Sequence, residues 1–207
     1  MSRLQELIQR LCPNGVEFKT LGEVAHIPNE RVSTEAIFCY VGVETLLQDR
    51  QGVGDYTKLP STKDCILFKE NDILIGNIRP YLKKIWLADQ VGGTNGDVIL
   101  LRLHNSEITI KFLYYILASD NFSNFHNQYS KGAKMPRGDK NKVLEFKIPI
   151  PPLEVQEEIV KILDRFSDYA AELQAELQAE LQARKEQYEY YRNLLLTFND
   201  VTTWGGA

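Results

Sequence analysis

Two short stretches of the chain concentrate side chains that bind polyanions. Asn77, Arg79, Tyr81, Lys83 and Lys84 follow the apolar run DILIG, while Lys131, Lys134, Arg137, Lys140 and Lys142 lie close together further on. Gly132, Pro136 and Gly138 keep that second stretch loop-like. Lys and Arg reach phosphate oxygens, and Arg, Asn and Gln carry paired groups that match base edges in a major groove. Asn29, Arg31, Thr94 and Asn95 offer similar chemistry on other expected loops. Residues 126–147 hold six basic side chains against two acidic ones. Phosphate contact needs a local patch of this kind. A solvated surface gives the same pattern, so the surrounding elements must decide between them.

No hydrolytic or transfer motif accompanies these residues. His26, His104 and His126 are far apart, and neither HExxH nor GxSxG occurs. GVGD, at 52–55, lacks the Lys-Ser/Thr ending of a phosphate loop. VGGTNGD, at 91–97, lacks a dinucleotide fingerprint and reads as a tight turn. NIRPY, at 77–81, departs from the DPPY-type motif of adenine methyltransferases because Arg79 precedes the proline, and no methyl-donor loop is found. The expectation is a non-catalytic chain with no metal or cofactor of its own.

The 207 residues suffice for one domain and an extension. A formal net charge of -4 conceals an uneven distribution. Residues 1–150 carry 19 Lys or Arg against 17 Asp or Glu, whereas residues 151–207 carry 5 against 11. Cys12, Cys39 and Cys65 are widely spaced and form no CxxC, which points to a reducing, cytoplasmic setting. MSRLQELIQRL has no long apolar segment and no 18-residue apolar run comes after it, so no membrane association is expected.

The elements that must position the basic stretches are legible in outline. Leu4, Leu7, Ile8 and Leu11 fall at helical spacing, which predicts a short amphipathic helix over 3–11, ended by CPNG. FCYVGVETLL predicts a strand, and CILFKENDILIGNI predicts two strands around the turn KEND. YLKKIWLA and DVILLRL add two more. EITIKFLYYILA, at 107–118, predicts a helix that SDNFSNFHNQYSK continues in broken form, with Tyr114 and Tyr115 in the core. KVLEFKIPIPP reads as a last strand ended by proline. The fold class is α/β: a globular domain over 1–150, a long coiled-coil-forming helix over 151–200 and a tail over 201–207.

The helix has its own pattern. Val155, Ile159, Ile162, Phe166, Tyr169 and Leu173 recur at alternating steps of four and three. Leu177 and Leu181 continue in steps of four, then Tyr188 and Leu195 in steps of seven. No Gly or Pro interrupts residues 153–198, so a rod roughly 70 Å long is expected. Such a rod needs a partner helix for its apolar stripe, either from a second copy or from another subunit. Within it, AELQAELQAELQ writes one tetrapeptide three times, at 171–182. Each unit lengthens the rod by about 6 Å and rotates the remainder of the helix by about 40°. The repeat therefore reads as a ruler.

These segments together resemble the specificity subunits of type I restriction-modification systems. SKGAKMPRGDKNKVLEFKIPIPPLEVQEEIVKILDRF looks like the end of a target recognition domain running into that family's conserved helix, with IPIPPLEVQEEIVKILD, at 148–164, as the most telling part. VEFKTLGEVA, at 16–25, resembles the first strand region, and NDILIGNIRPYLKKIW is similar to the family's "GD-I-L" strand, with Asn71 where Gly is usual. AELQAELQAELQ and RKEQYEYYRNLLLTF resemble the spacer repeats and conserved helix of one subgroup, in which repeat number sets the gap between two half-sites.

The resemblance implies a protein that reads double-stranded DNA and performs no chemistry. Modification subunits holding S-adenosylmethionine would methylate adenine N6, and motor-nuclease subunits would join them for cleavage. Family members usually have two recognition domains and two long helices, whereas this chain has one of each. It reads either as a half-subunit that pairs antiparallel with a second copy or as a fragment of a longer subunit. VTTWGGA, at 201–207, is open to both readings. A non-catalytic coiled-coil adaptor without sequence-specific DNA binding is the alternative. The basic and polar residues named above are the expected DNA contacts. Ile159, Ile162, Phe166, Tyr169, Leu173, Leu177, Leu181, Tyr188 and Leu195 are the expected helix-pairing residues.

Overall fold

The structure is a computed structural model that describes residues 2–56 and 59–197. The tail at 201–207, with Trp204, lies outside the described residues. The chain divides into two compact units, one up to Val160 and one from Lys161 onward.

The first unit begins with α1 (Arg3–Leu11), whose capping box is complete: Ser2 Oγ accepts the Gln5 amide and Gln5 Oε1 accepts the Ser2 amide. The chain continues through β1 (Glu17–Thr20), α2 (Leu21–Val24), β2 (Ala25–His26), β3 (Arg31–Ser33) and β4 (Tyr40–Val41). Next come β5 (Asp64–Phe68), β6 (Ile73–Gly76), β7 (Ile85–Leu87), β8 (Gly92–Thr94) and β9 (Val98–Leu103). Two helices come next, α3 (Ile110–Leu117) and α4 (Asp120–Gln128), N-capped by Thr109 and Ser119. Then β10 (Ser130–Lys131), β11 (Arg137–Gly138), α5 (Lys140–Leu144) and β12 (Lys147–Ile150) lead to α6 (Leu153–Thr197).

Two four-stranded sheets form the centre. One has the order β2-β9-β6-β7 and is antiparallel throughout. The other has the order β3-β5-β8-β4, with β4 and β8 parallel. The first sheet is buried on both faces, so its strands are continuous apolar runs rather than alternating ones. Ile73, Ile75, Ile85, Ile99 and Leu101 point into a core shared with Leu21, Phe112, Leu113 and Phe122 on the helices. The intervening Leu74, Trp86, Val98 and Leu100 point the other way, against Val41, Leu46 and Phe68. Full burial of each such side chain contributes about 2 kcal/mol.

The short two-stranded sheet of β1 and β12 closes the unit, pairing Glu17 with Ile150 and Thr20 with Lys147. It leads the chain into α6, whose first two turns belong to this unit. Val155 is buried, and Ile159 and Val160 pack against the helical core. Gln156, fully buried, accepts the Thr109 amide (2.8 Å) and donates to the carbonyls of Glu107 (2.7 Å) and Pro151 (2.8 Å).

Several expectations need correction. VGGTNGD is not a single turn: Gly92–Thr94 is a buried strand, and the turn starts only at Asn95, whose side chain accepts the Asp97 amide. A Cβ at Gly92 would come within 2.6 Å of the Cys39 carbonyl and of the Phe68 ring, so the glycines serve close packing. FCYVGVETLL extends only over Tyr40–Val41, because the Gly42 carbonyl takes the amides of Thr45 and Leu46 and turns the chain. In YLKKIWLA only Ile85–Leu87 is strand, since Pro80–Leu82 forms a 3-10 turn. In KVLEFKIPIPP the strand is Lys147–Ile150. Val143 and Leu144 belong to α5, which the Asp139 carboxylate caps by accepting the amides of Asn141 and Lys142.

In the second unit α6 continues to Thr197, and its large apolar side chains are exposed. Among the described residues, no helix is long and apolar enough to cross a membrane.

Candidate nucleic-acid interface

The two basic stretches, remote in sequence, run side by side. Beyond β6, Gly138 N donates to the Asn77 carbonyl at 3.1 Å and Arg79 N donates to the Pro136 carbonyl at 2.8 Å. Ile78 and Arg137 form an antiparallel bridge between them. The turn between β8 and β9 joins the same seam, because Asn77 N donates to the Asp97 carbonyl at 2.9 Å. Three loops, carrying Asn77–Lys84, Asn95–Asp97 and Lys131–Lys142, are thus stitched into one surface by backbone hydrogen bonds.

A buried polar contact supports the seam. Asn77 Oδ1 lies 3.1 Å from His126 Nε2, and both side chains are buried. Burial pushes the His126 imidazole down to about 4, so the ring is neutral at pH 7. Gly138 sits directly against the pair. A Cβ there would lie 2.1 Å from His126 Nε2 and 2.7 Å from Asn77 Oδ1, so the strand can approach only as glycine.

Arg79 and Lys83 flank the Pro80–Leu82 turn with φ of 52° and 51°, in the left-handed region. The chain facing them is also left-handed, at Asp49 (52°) and Arg50 (65°), whose amides donate to the Leu82 and Lys83 carbonyls. Each such residue costs roughly 1–3 kcal/mol, and strain of this kind gathers where backbone placement matters.

The expected contact residues separate into groups. Arg79, Lys131 and Lys134 are exposed and, among the described residues, form no ion pair. Tyr81 is exposed beside Arg79. Arg137 is held 3.0 Å from Asp97, Lys83 lies 2.8 Å from Asp120, and Lys142 lies 2.8 Å from Glu145. The hydrogen bonds donated by Lys83 and Arg50 hold the Asp120 carboxyl below its ordinary range, and the one that Lys142 donates to Glu145 raises the Lys142 ammonium. Lys84 and Lys140 point inward, donating to the carbonyls of Val43 (2.6 Å) and Val98 (3.5 Å), and burial lowers both ammonium groups.

Two expected contacts are placed inside the domain. Thr94 is fully buried and donates its hydroxyl to the Val41 carbonyl at 2.6 Å. Asn77 is the buried partner of His126 rather than a surface group. Asn95 is half-buried in its turn. Asn29 and Arg31 are exposed, Arg31 on the edge strand β3. Sequence reasoning missed Asp97 and Asp120, the carboxylates that hold Arg137 and Lys83. Nothing in their local sequence distinguishes them from other surface acids.

The expected helix-pairing residues divide at the start of the second unit. Ile159 packs into the domain core and Ile162 is half-buried, whereas Phe166, Tyr169, Leu173, Leu177, Leu181, Tyr188 and Leu195 are between 54% and 67% exposed. That exposure leaves a continuous apolar stripe along an isolated helix, which is unfavourable in water without a partner.

Among the described residues, no group of three or more His, Cys, Asp or Glu could hold a metal ion.

Comparison with known proteins places the chain in a family. The family model described as "Type I restriction modification DNA specificity domain" matches residues 13–183. The chain is 33% identical over 94 residues to the EcoR124I/EcoR124II type I restriction enzyme specificity subunit of Escherichia coli, covering 45% of this chain and 23% of that one. It is 34% identical over 194 residues to a Haemophilus influenzae protein assigned as a type I restriction enzyme specificity subunit, covering 90% of this chain and 47% of that one. The crystal structure of the HsdS subunit from Thermoanaerobacter tengcongensis superposes with a TM-score of 0.67 at 26% identity, over 85% of this chain and 48% of that one. The chain thus spans about half the length of that solved subunit, and half or less of these two relatives. With a globular domain, a proline-ended strand and a long helix across the matched residues, the chain belongs to the type I restriction modification DNA specificity domain family.

Proposed function

We propose that this chain reads double-stranded DNA for a type I restriction-modification complex and directs adenine-N6 methylation by partner subunits. The observation that carries this reading is the seam, in which the Arg79 amide meets the Pro136 carbonyl and sets Arg79, Lys131 and Lys134 on adjoining loops. Those cations neutralise phosphates, and Arg79, Tyr81 and Arg137 are exposed groups on the joined loops with donors that reach base edges. To take part, Arg137 exchanges Asp97 for DNA. S-adenosylmethionine and the chemistry belong to the modification subunits, with motor-nuclease subunits added where the complex cleaves.

Residues 151–200 form the assembly element in this reading. The stripe from Phe166 to Leu195 pairs with a second copy in antiparallel coiled-coil fashion, which places two identical recognition domains on a bipartite, palindromic site. The AELQ units set the spacing. Deleting one unit shortens the rod by about 6 Å, which corresponds to roughly two base pairs of duplex. Mapping the methylated motif before and after the deletion tests the ruler: the gap shortens while the half-sites stay the same, and an unchanged gap rejects it.

A further inference from the structure

We propose that Arg137 and Asp97 together read one G·C base pair from the major groove, Arg137 donating to guanine N7 and O6 and Asp97 accepting from the cytosine amino group. The inference rests on the DNA reading above and adds which residues discriminate and which base pair they require.

Both residues sit on the seam. Arg137 is bridged to Ile78, and the next residue, Gly138, donates its amide to the Asn77 carbonyl. The Asp97 carbonyl accepts the Asn77 amide at 2.9 Å, and Asn95 Oδ1 accepts the Asp97 amide at 2.9 Å. The side chains meet with Arg137 Nη2 3.0 Å from Asp97 Oδ1, while 61% and 39% of their respective surfaces remain exposed. The loops are already joined by backbone hydrogen bonds, and an ion pair this exposed adds little to stability. What the pair does is present guanidinium donors and a carboxylate acceptor side by side.

That combination separates Arg137 from the other exposed cations. Arg79, Lys131 and Lys134 form no ion pair among the described residues, so they are free to follow phosphates. Arg137 comes with a carboxylate that repels phosphate. Contact with DNA opens the pair, and a charge left unpaired in a desolvated interface is costly. The exchange is therefore favourable only where both freed groups find partners.

One base pair meets that condition. Across the major-groove edge, G·C presents two acceptors, guanine N7 and O6, followed by one donor, the cytosine amino group. Arg137 and Asp97 offer the complementary order, two donors and then an acceptor. A·T presents its single amino group between two acceptors. In either orientation Asp97 is satisfied there by the adenine amino group, and Arg137 keeps only one acceptor. Arginine alone would take a phosphate fork to fork. Asp97 is what turns it to a base.

Motif mapping and duplex binding test this together. The full chain is co-expressed with an adenine methyltransferase modification subunit, and the mapped motif supplies the duplex for fluorescence anisotropy on the purified complex. Each G·C pair of the motif is exchanged for A·T in turn. For the wild type, one such exchange is expected to weaken binding roughly 5- to 150-fold. Arg137→Ala and Arg137→Lys are both expected to abolish that one preference, although lysine keeps the charge and the salt dependence. Asp97→Asn is expected to bind unrelated duplex more tightly and to discriminate less at the same base pair. A uniform loss on every duplex in Arg137→Ala, restored in Arg137→Lys, means phosphate contact and overturns the proposal. A uniform loss in both, with a lower Tm, makes the pair a structural clamp and also overturns it. So does a G·C preference that survives in all three variants. Each of these results leaves the DNA reading standing. A wild-type complex that marks no motif and binds no duplex removes that reading and this inference with it.

Discussion

The amide of Arg79 donates to the carbonyl of Pro136 at 2.8 Å, across two loops that belong to different parts of the fold. One loop leaves a central strand of the first sheet, and the other connects the fourth helix to the fifth. The first carries the Pro80–Leu82 turn, and the second the β10–β11 pair. Their mutual hydrogen bonds, with the Ile78–Arg137 bridge, join two basic stretches into one surface.

Arg79, Lys131 and Lys134 are the exposed cations of that surface without an internal partner among the described residues. Arg79→Ala, Lys131→Ala and Lys134→Ala are expected to weaken duplex binding without lowering thermal stability. Each lost phosphate contact reduces the slope of log affinity against log salt by about one. Fluorescence anisotropy across a salt series measures both quantities. A variant set with unchanged affinity and unchanged slope would remove these residues from the interface.

Gly138 tests the seam without altering its charge. Gly138→Ala drives a methyl group into His126 Nε2 and Asn77 Oδ1, which costs on the order of 1–3 kcal/mol if the neighbours yield. DNA affinity is expected to fall along with stability, although every cation is still present. Chemical denaturation and binding measured on the same preparation show whether the two fall together.

Gln156 joins the long helix to the domain. Gln156→Leu keeps the bulk but leaves the Thr109 amide and the carbonyls of Glu107 and Pro151 without their partner. Buried groups left unpaired cost about 1–3 kcal/mol each, softened by local relaxation. The expected result is a lower Tm with the helical content of α6 retained, read by calorimetry and circular dichroism. An unchanged Tm would mean that the three contacts do not hold the helix root.

His126 gives the domain a defined acid response. Its folded pKa, about 4, lies below the ordinary value of 6.5, so the unfolded chain takes up a proton that the folded one excludes. The penalty is absent above pH 6.5, grows as pH falls from 6.5 toward 4, and levels off below that. The full loss is about 3 kcal/mol, from roughly 1.4 kcal/mol per unit. His126→Gln, compared with wild type by urea denaturation at neutral and mildly acidic pH, is expected to lose this component of the pH dependence. Equal pH dependence in both proteins would contradict the assignment.

Elements with strong local signals were legible in the sequence. The first helix shows its apolar period, and the long helix shows its uninterrupted stripe. Asn71, which departs from the family's usual glycine, occupies a left-handed position with φ of 68°, and Asn tolerates that conformation better than most residues do. The buried strand Gly92–Thr94 was hidden because glycines ordinarily mark turns, whereas here they admit the Cys39 backbone and the Phe68 ring. At the candidate site, residue types indicated both basic stretches. Their pairing through Pro136 and Gly138 is a tertiary relationship with no local signal. For the same reason Thr94 and Asn77 looked like surface groups and are packed inside.

The most direct test of DNA-directed modification is to co-express the chain with an adenine methyltransferase modification subunit and map N6-methyladenine across the host genome. The expected result is one bipartite, palindromic motif with a fixed internal gap, lost when Arg79, Lys131 and Lys134 are replaced together by alanine. Assembly of both proteins without any methylated motif, or a motif that survives loss of all three cations, would contradict this reading.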